Sequence, residues 1–243
     1  MPKVAILYSG HVGGKRQNTP SRGNGIDDGT TGLETWDVCR TNQEAVLGAA
    51  DRYFYTYTKP ENTSYKQFVQ IPQSYYREPH PAVLFCNSYT FNYVFPINVL
   101  NNWHNGFIGF DLVPSTYDVY IKSRCDIVLS AQERVSKSMS LEQYKQLPYN
   151  EAASHDTLDL NAYEIKPNVI YVTRSFSESL LNDQFAIGDY ETMRKYFEVY
   201  LHYRVSMNDG FRFHAETMLY LHLERQGITT VQLDFSNLLI RAQ

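Results

Sequence analysis

Apolar positions along the chain recur every two residues in some stretches and every three to four in others, and the changes of period outline alternating strands and helices. VAILY at 4–8 is a short apolar strand, and a polar, glycine-rich stretch follows it from 9 to 32. Loops beyond about 15 residues are usually functional or mobile. Residues 34–50 have helical spacing, while RYFYTYT at 52–58 has the aromatic and threonine content of a strand. Residues 59–88 are marked by prolines and read as irregular. A helix is expected over much of 89–105, with Pro96 near a kink and Trp103 near its end. A strand within 117–130, a short helix at 140–147, a strand at 168–173 and a long amphipathic helix at 190–205 follow. HAETMLYLHLERQG at 214–227 predicts a helix stopped by Gly227, and ITTVQLDF at 228–235 predicts the last strand. Strands separated by helices imply an α/β fold, with a mixed, mostly parallel sheet flanked by helices, in one domain spanning 1–243.

One stretch departs from the ordinary pattern. In YDVYIKSRCDIVLS at 117–130, Val119, Ile121, Ser123 and Cys125 alternate with Tyr120, Lys122, Arg124 and Asp126, so a regular strand places the three charged side chains on one face. A solvent-facing edge strand would accommodate them, with Arg124 and Asp126 forming a surface ion pair worth roughly 0 to 1 kcal/mol. The alternative is a face that opens into a cleft. Ile127, Val128 and Leu129 suit a strand deep in a sheet, and a charge at such a strand's carboxyl end usually touches a ligand.

Composition narrows the classes. With 43% hydrophobic and 20% charged residues and a formal net charge of -4, the 243-residue chain has the balance of a globular protein able to bury a core. The slight acidity argues against nucleic-acid binding, since Lys15, Arg16 and Arg22 form the one modest basic cluster. No apolar run approaches the roughly 20 residues of a membrane span, and VAILY lacks the layout of a signal peptide, so a cytoplasmic location is expected. Cys39, Cys86 and Cys125 are odd in number and widely spaced, and they read as reduced, mostly buried thiols.

The first loop carries glycines without a known phosphate-binding fingerprint. Gly10, Gly13, Gly14 and Lys15 miss G-x-x-x-x-G-K-[ST] by one residue, and Arg16 stands where a hydroxyl should be. Glycines still allow backbone to approach a nucleotide, and a surface loop accounts for them equally well.

YDVYIKSRCDIVL resembles the strand and metal-binding turn of GT-A fold glycosyltransferases, in which D-x-D holds a divalent cation against the diphosphate of a nucleotide sugar. The resemblance is closer to small GT-A-like transferases of large algal DNA viruses and bacterial surface-polysaccharide loci. It is carried by an initial strand followed by Ser9, Gly10 and His11, by the Y-D-x-x-I-K-x-R-x-D block, by NDQFAIGD at 182–189, and by HAETMLYLHL at 214–223. These blocks span most of the chain. They imply a GT-A-like fold and transfer of a sugar from a UDP- or GDP-linked donor to a glycan or glycoprotein acceptor. The implied setting is surface or capsid polysaccharide synthesis, in the host cytoplasm if the chain is virus-encoded.

The first aspartate of the common motif is replaced here by Arg124, so the resemblance carries over only Asp126 as a ligand for Mn²⁺ or Mg²⁺, with His214 as the late histidine that completes some such sites. An arginine about 6 Å from a divalent ion opposes its binding by several kcal/mol at an effective dielectric near 20. Either the diphosphate recruits the metal, or Lys122 and Arg124 replace it. Charge grows on the departing diphosphate in glycosyl transfer, which gives cations at this strand end a role. An inverting reaction also needs a group to take the acceptor's proton. Asp183 is the first candidate, with Glu216 and His214 behind it. Gln184 beside Asp183 is a candidate sugar contact. As ordinary structure, Asp183 would cap a turn, and His214 and Glu216 would cap the helix they open. Tyr93 and Trp103 are candidate acceptor platforms, because aromatic rings stack on sugars. Two other classes stay open: a metal-dependent phosphohydrolase or nucleotidyltransferase using Asp27 and Asp28 with Asp126, and a non-catalytic nucleotide- or glycan-binding protein.

Overall fold

A computed structural model describes residues 2–10, 30–56, 59–60, 63–71, 80–89, 96–130, 138–147, 157–173 and 181–241. In chain order the elements are β1 (Val4–Gly10), α1 (Thr30–Leu47), β2 (Asp51–Thr56), β3 (Gln67–Gln70), α2 (Pro81–Asn87), α3 (Pro96–Phe110), β4 (Val119–Ser123), β5 (Ile127–Ser130), β6 (Ser138–Ser140), α4 (Leu141–Lys145), β7 (Val169–Val172), β8 (Phe185–Gly188), α5 (Tyr190–Phe197), α6 (Val199–Asn208), α7 (Ala215–Arg225), β9 (Thr229–Gln232) and β10 (Ser236–Arg241). Seven strands form one sheet in the order β3-β2-β1-β4-β8-β7-β9, and a second sheet has the order β5-β10-β6. Within the large sheet, β8 alone runs antiparallel to its neighbours. The class is the one expected, α/β with a mixed, mostly parallel sheet flanked by helices.

Alternation along β1 and β4 divides the core between the sheet's two faces. Ala5, Leu7, Tyr120 and Ala186 pack with α2, α3, α5, α6 and α7 through Val83, Leu100, Trp103, Phe197, Tyr203 and Leu219. Val4, Ile6, Tyr8, Val119 and Ile121 face the other way, against Trp36, Val46 and Leu47 of α1. A third cluster joins Cys39 of α1 to Val128, Leu238 and Ile240 of the second sheet and to Leu141 and Tyr144 of α4. All three cysteines are buried and free, and burial pushes the Cys86 thiol up to about 12, so these are inert thiols.

Helix α3 packs closely against the sheet at Gly109 and against α5 at Gly106, two buried positions without a side chain. A Cβ on Gly109 would stand 2.9 Å from Tyr55 Cβ, and one on Gly106 would stand 2.9 Å from the Phe197 ring. Tyr55 Cβ is fixed to strand backbone and cannot yield as a side-chain tip can. Gly109→Ala is therefore expected to destabilise the protein by roughly 1–3 kcal/mol through overpacking, read as a lowered denaturation midpoint in urea.

Several boundaries differ from the sequence reading. Pro96 opens α3 instead of kinking it, and Trp103 lies mid-helix. Proline suits the first turn, where its missing N–H has no intrahelical partner to lose. The same reason accounts for α2, which lies in a region read as irregular: Pro81 follows His80, whose ring accepts from the Ala82 N–H. β3, within the same region, is a four-residue edge strand, QFVQ, too short to carry a periodic signal. The single helix expected at 190–205 breaks at Glu198 into α5 and α6. Thr229–Gln232 is not the last strand, because β10 follows and pairs with β5 and β6. The run 117–130 also divides, into β4 of the large sheet and β5 of the second sheet, with Arg124, Cys125 and Asp126 at the turn between them.

A buried histidine ties α7 to the end of α5. His222 is 3% exposed, its Nε2 lies 2.7 Å from the Lys195 carbonyl, and its ring stacks on His202 with centroids 5.5 Å apart. Burial holds the imidazole pKa below its usual value. The carbonyl and Glu198 oppose this shift, while His202 and Arg225 add to it. The unfolded chain therefore takes up this proton at higher pH than the folded one. Stability is expected to fall as pH drops below about 6.5, and His222→Gln should flatten that decline in thermal melts across the window.

Candidate functional site

Strand order reverses between β1 and β4: β2 and β3 extend the sheet to one side of β1, and β4 begins the other. Helices leave the two faces there, and open α/β sheets bind ligands in the crevice at the strands' carboxyl ends. Ser9 stands at the end of β1, Lys122 near the end of β4, and Asp183 just before β8, whose antiparallel course brings its start to the same edge. These three residues line one small cleft with Asn102, Trp103 and Gly106 of α3, Tyr196 and Phe197 of α5, Val199 and Leu219. The space between its atoms, counted out to open solvent, is about 290 Å³.

Lys122 is only 4% exposed. Its register neighbours are Leu7 and Ala186, both core residues, so its stem runs through the apolar layer and its ammonium emerges at the cleft. The Nζ donates to the Asp183 backbone carbonyl, which also accepts from the Tyr196 hydroxyl at 3.2 Å. Burial pulls the amine down to about 8; Asp183 and Asp126 oppose the shift, and Arg124 reinforces it. Lys122 thus remains mostly cationic near neutral pH with its charge poorly solvated. That makes it a strong site for an anion. The Asp183 carboxylate, half-buried beside it, makes no hydrogen bond among the described residues.

Arg124 and Asp126 are engaged with each other. The guanidinium Nε and Nη2 donate to the two carboxylate oxygens of Asp126 at 2.8 and 2.7 Å, with both side chains 29% exposed. The ion pair considered for an edge strand therefore forms, at a turn between sheets. Burial disfavours the Arg124 charge, and Asp126 together with Asp183 more than restores it, so the side chain is firmly cationic. The turn itself is held from α1: Gln43 accepts from Ser123 Oγ at 2.7 Å and donates to the Arg124 and Ile127 carbonyls at 2.9 and 2.8 Å. Asn42 brackets Leu129 through both its N–H and its carbonyl.

The described residues do not fit the expected Mn²⁺ or Mg²⁺ site. Both oxygens of Asp126 face a guanidinium, and no group of three or more His, Cys, Asp or Glu side chains able to hold a metal occurs among the described residues. His214 precedes α7 at its N-cap position without capping it. Its ring lies 4.0 Å from the Glu216 carboxylate and 3.3 Å from Thr217 Oγ1. The two residues thus start the helix as a local cluster. Neither is among the residues lining the cleft.

Gln184 belongs to a buried amide network. Its side-chain oxygen accepts from Asn237, its backbone N–H donates to Asn182 Oδ1 at 2.9 Å, and Asn182 donates to Asn237. Trp103 forms part of the cleft wall, its buried ring packed against Tyr203 and Phe213 at 6.0 and 5.7 Å. Gly10 ends β1 beside Thr56. His11, Tyr93, Asp27, Asp28 and the glycines and basic residues of 13–22 lie outside the described residues.

Sequence reasoning missed Gln43, Asn102, Tyr196 and Asn237. Gln43 had a signal: it shares the apolar face of α1 with Trp36, Cys39, Val46 and Leu47, and a fully buried glutamine must have partners. The others become neighbours of Asp183 only through the fold.

No protein-family model matches the chain, and no curated protein sequence matches it. Among solved structures it is similar to the apo form of mouse xyloside xylosyltransferase 1, with a TM-score of 0.43 and 8% identity, covering 95% of this chain and 84% of that chain. No helix among the described residues is long and apolar enough to cross a membrane.

Proposed function

We propose that the chain is a glycosyltransferase that moves a sugar from a UDP- or GDP-linked donor to a glycan acceptor, in the synthesis of a surface or capsid polysaccharide. The observation that carries this reading is the meeting in one cleft, at the β1 and β4 carboxyl ends, of a buried cation, Lys122, and a carboxylate, Asp183, that makes no hydrogen bond among the described residues. Transfer breaks the bond between the sugar's anomeric carbon and the diphosphate oxygen, and the electron pair leaves with the diphosphate. Lys122 sits where that growing charge is stabilised, in a poorly solvated position that strengthens the interaction. In an inverting transfer the acceptor oxygen attacks the anomeric carbon and its proton passes to Asp183. Ser9, Asn102 and Tyr196 offer hydroxyl and amide groups for the ligand from the cleft walls.

The engagement of Asp126 by Arg124 favours a second reading, a nucleotide- or glycan-binding protein without turnover. One experiment addresses both. Thermal shifts would be measured with UDP, GDP, dTDP, CMP and UDP- and GDP-sugars, with and without Mn²⁺, alongside donor hydrolysis. A ligand at about 100 times its dissociation constant stabilises the fold by roughly 2.7 kcal/mol. A metal-independent shift with one nucleotide diphosphate, together with hydrolysis of its sugar, is the expected result. A shift that needs Mn²⁺ would return Asp126 to the role of metal ligand. Binding without hydrolysis or transfer would select the second reading, and no shift with any ligand would remove both.

A further inference from the structure

We propose that Asn237, on the last strand, is a positioning residue that sets the direction of Asp183; this rests on the reading of Asp183 as the proton acceptor. Asn237 is 3% exposed and lies in the second sheet, paired with Leu129. Its Oδ1 accepts from Thr173 Oγ1 and from Asn182 Nδ2 at 2.7 Å, and its Nδ2 donates to the side-chain oxygen of Gln184. Asn182 closes the ring by accepting the Gln184 backbone N–H at 2.9 Å. The residues on both sides of Asp183 are thus gripped by one buried amide.

Among the described residues, Asp183 itself is tied through its backbone carbonyl, to Lys122 and Tyr196. With no hydrogen bond to its carboxylate among the described residues, the direction of that side chain follows from the backbone of the turn. Asn237 acts on that backbone through the side chains of residues 182 and 184, and Asn182 in turn holds the Gln184 backbone N–H. An amide suits position 237 because its oxygen accepts from two donors while its separate NH₂ reaches Gln184; an apolar side chain supplies neither, and a shorter hydroxyl puts donor and acceptor on one atom that cannot span both places. Displacing a catalytic group by about 1 Å can cost on the order of 100-fold in rate, so a buried residue remote from the ligand can control turnover.

The test compares Asn237→Leu with Thr173→Val. The second variant removes one donor from the same buried network but leaves both grips on the turn. Two readouts are taken: backbone hydrogen exchange at the Gln184 amide by NMR, and kcat with donor dissociation constant on the best donor. Asn237→Leu is expected to speed Gln184 exchange well beyond any change in global stability and to lower kcat about tenfold or more at nearly unchanged donor affinity. Thr173→Val is expected to leave both near the unsubstituted values. If Asn237→Leu does not fold, Asn237→Ser, which cannot reach Gln184, makes the same comparison. Equal effects of the two variants, or unchanged exchange at Gln184, would overturn the proposal. Faster exchange in a protein that turns over no donor would count against the enzymatic reading while leaving the grip on the turn established.

Discussion

Replacing Lys122 with methionine is expected to raise stability near neutral pH by on the order of 3 kcal/mol and to lower sugar transfer by about 100-fold or more. The stability gain follows from the titration of the amine. In the unfolded chain it keeps its proton up to its ordinary value of 10.5, whereas in the fold burial brings it down to about 8. The folded state therefore binds the proton less readily, and the full cost of burying the ammonium is present at every pH below about 8. Between about 8 and 10.5 the unfolded chain loses its proton too and the cost disappears. The Lys122→Met advantage should accordingly shrink across that window, which denaturant melts at several pH values would read. Methionine fills the stem's channel between Leu7 and Ala186 without a charge, so packing is conserved. A destabilised Lys122→Met protein would mean that the ammonium contributes to the fold. Unchanged transfer would remove Lys122 from the site.

Asp183→Asn is expected to lower kcat by about 100-fold or more while donor affinity stays within about threefold. Asparagine keeps the shape of the side chain and leaves the backbone carbonyl in place for Lys122 and Tyr196. What it loses is the capacity to take a proton. A second effect identifies the neighbourhood: the Asp183 charge favours the protonated Lys122, so its removal should move the amine further below about 8. The alkaline limb of donor binding should then shift to lower pH. A loss in kcat smaller than about tenfold would place proton transfer on another group.

Lys122 and Asp183 also mark how far the sequence reached. Alternation along 117–130 put Lys122, Arg124 and Asp126 on one face, open to solvent or to a cleft, and Asp183 directly before the apolar FAIG. In the fold Lys122 lines a cleft and Asp183 precedes β8, and the two-residue period reaches that far because it fixes which side chains share a face before any partner is known. That reading stopped at the turn. Arg124 and Asp126 continue the alternation on paper, but the chain leaves the large sheet after Ser123, and the two side chains meet each other at a junction held by Gln43 and Asn42. The charged face read as continuous is therefore split between a buried cation in the cleft and a forked ion pair beside it.

By itself, the sequence determined the succession of most strands and helices, the α/β class, the buried thiols and the chemical character of the strand end. Each depends on local periodicity or composition. Tertiary structure alone decided that Ser9, Trp103, Lys122 and Asp183 share one cleft, that β5 joins β10 in a second sheet, and that Asn237 grips the turn around Asp183. The physical reason is separation along the chain. Residues far apart in sequence become neighbours through strand order and helix packing, and polar side chains such as Asn237 and Gln43 acquire a role only when burial leaves their hydrogen bonds no water to turn to.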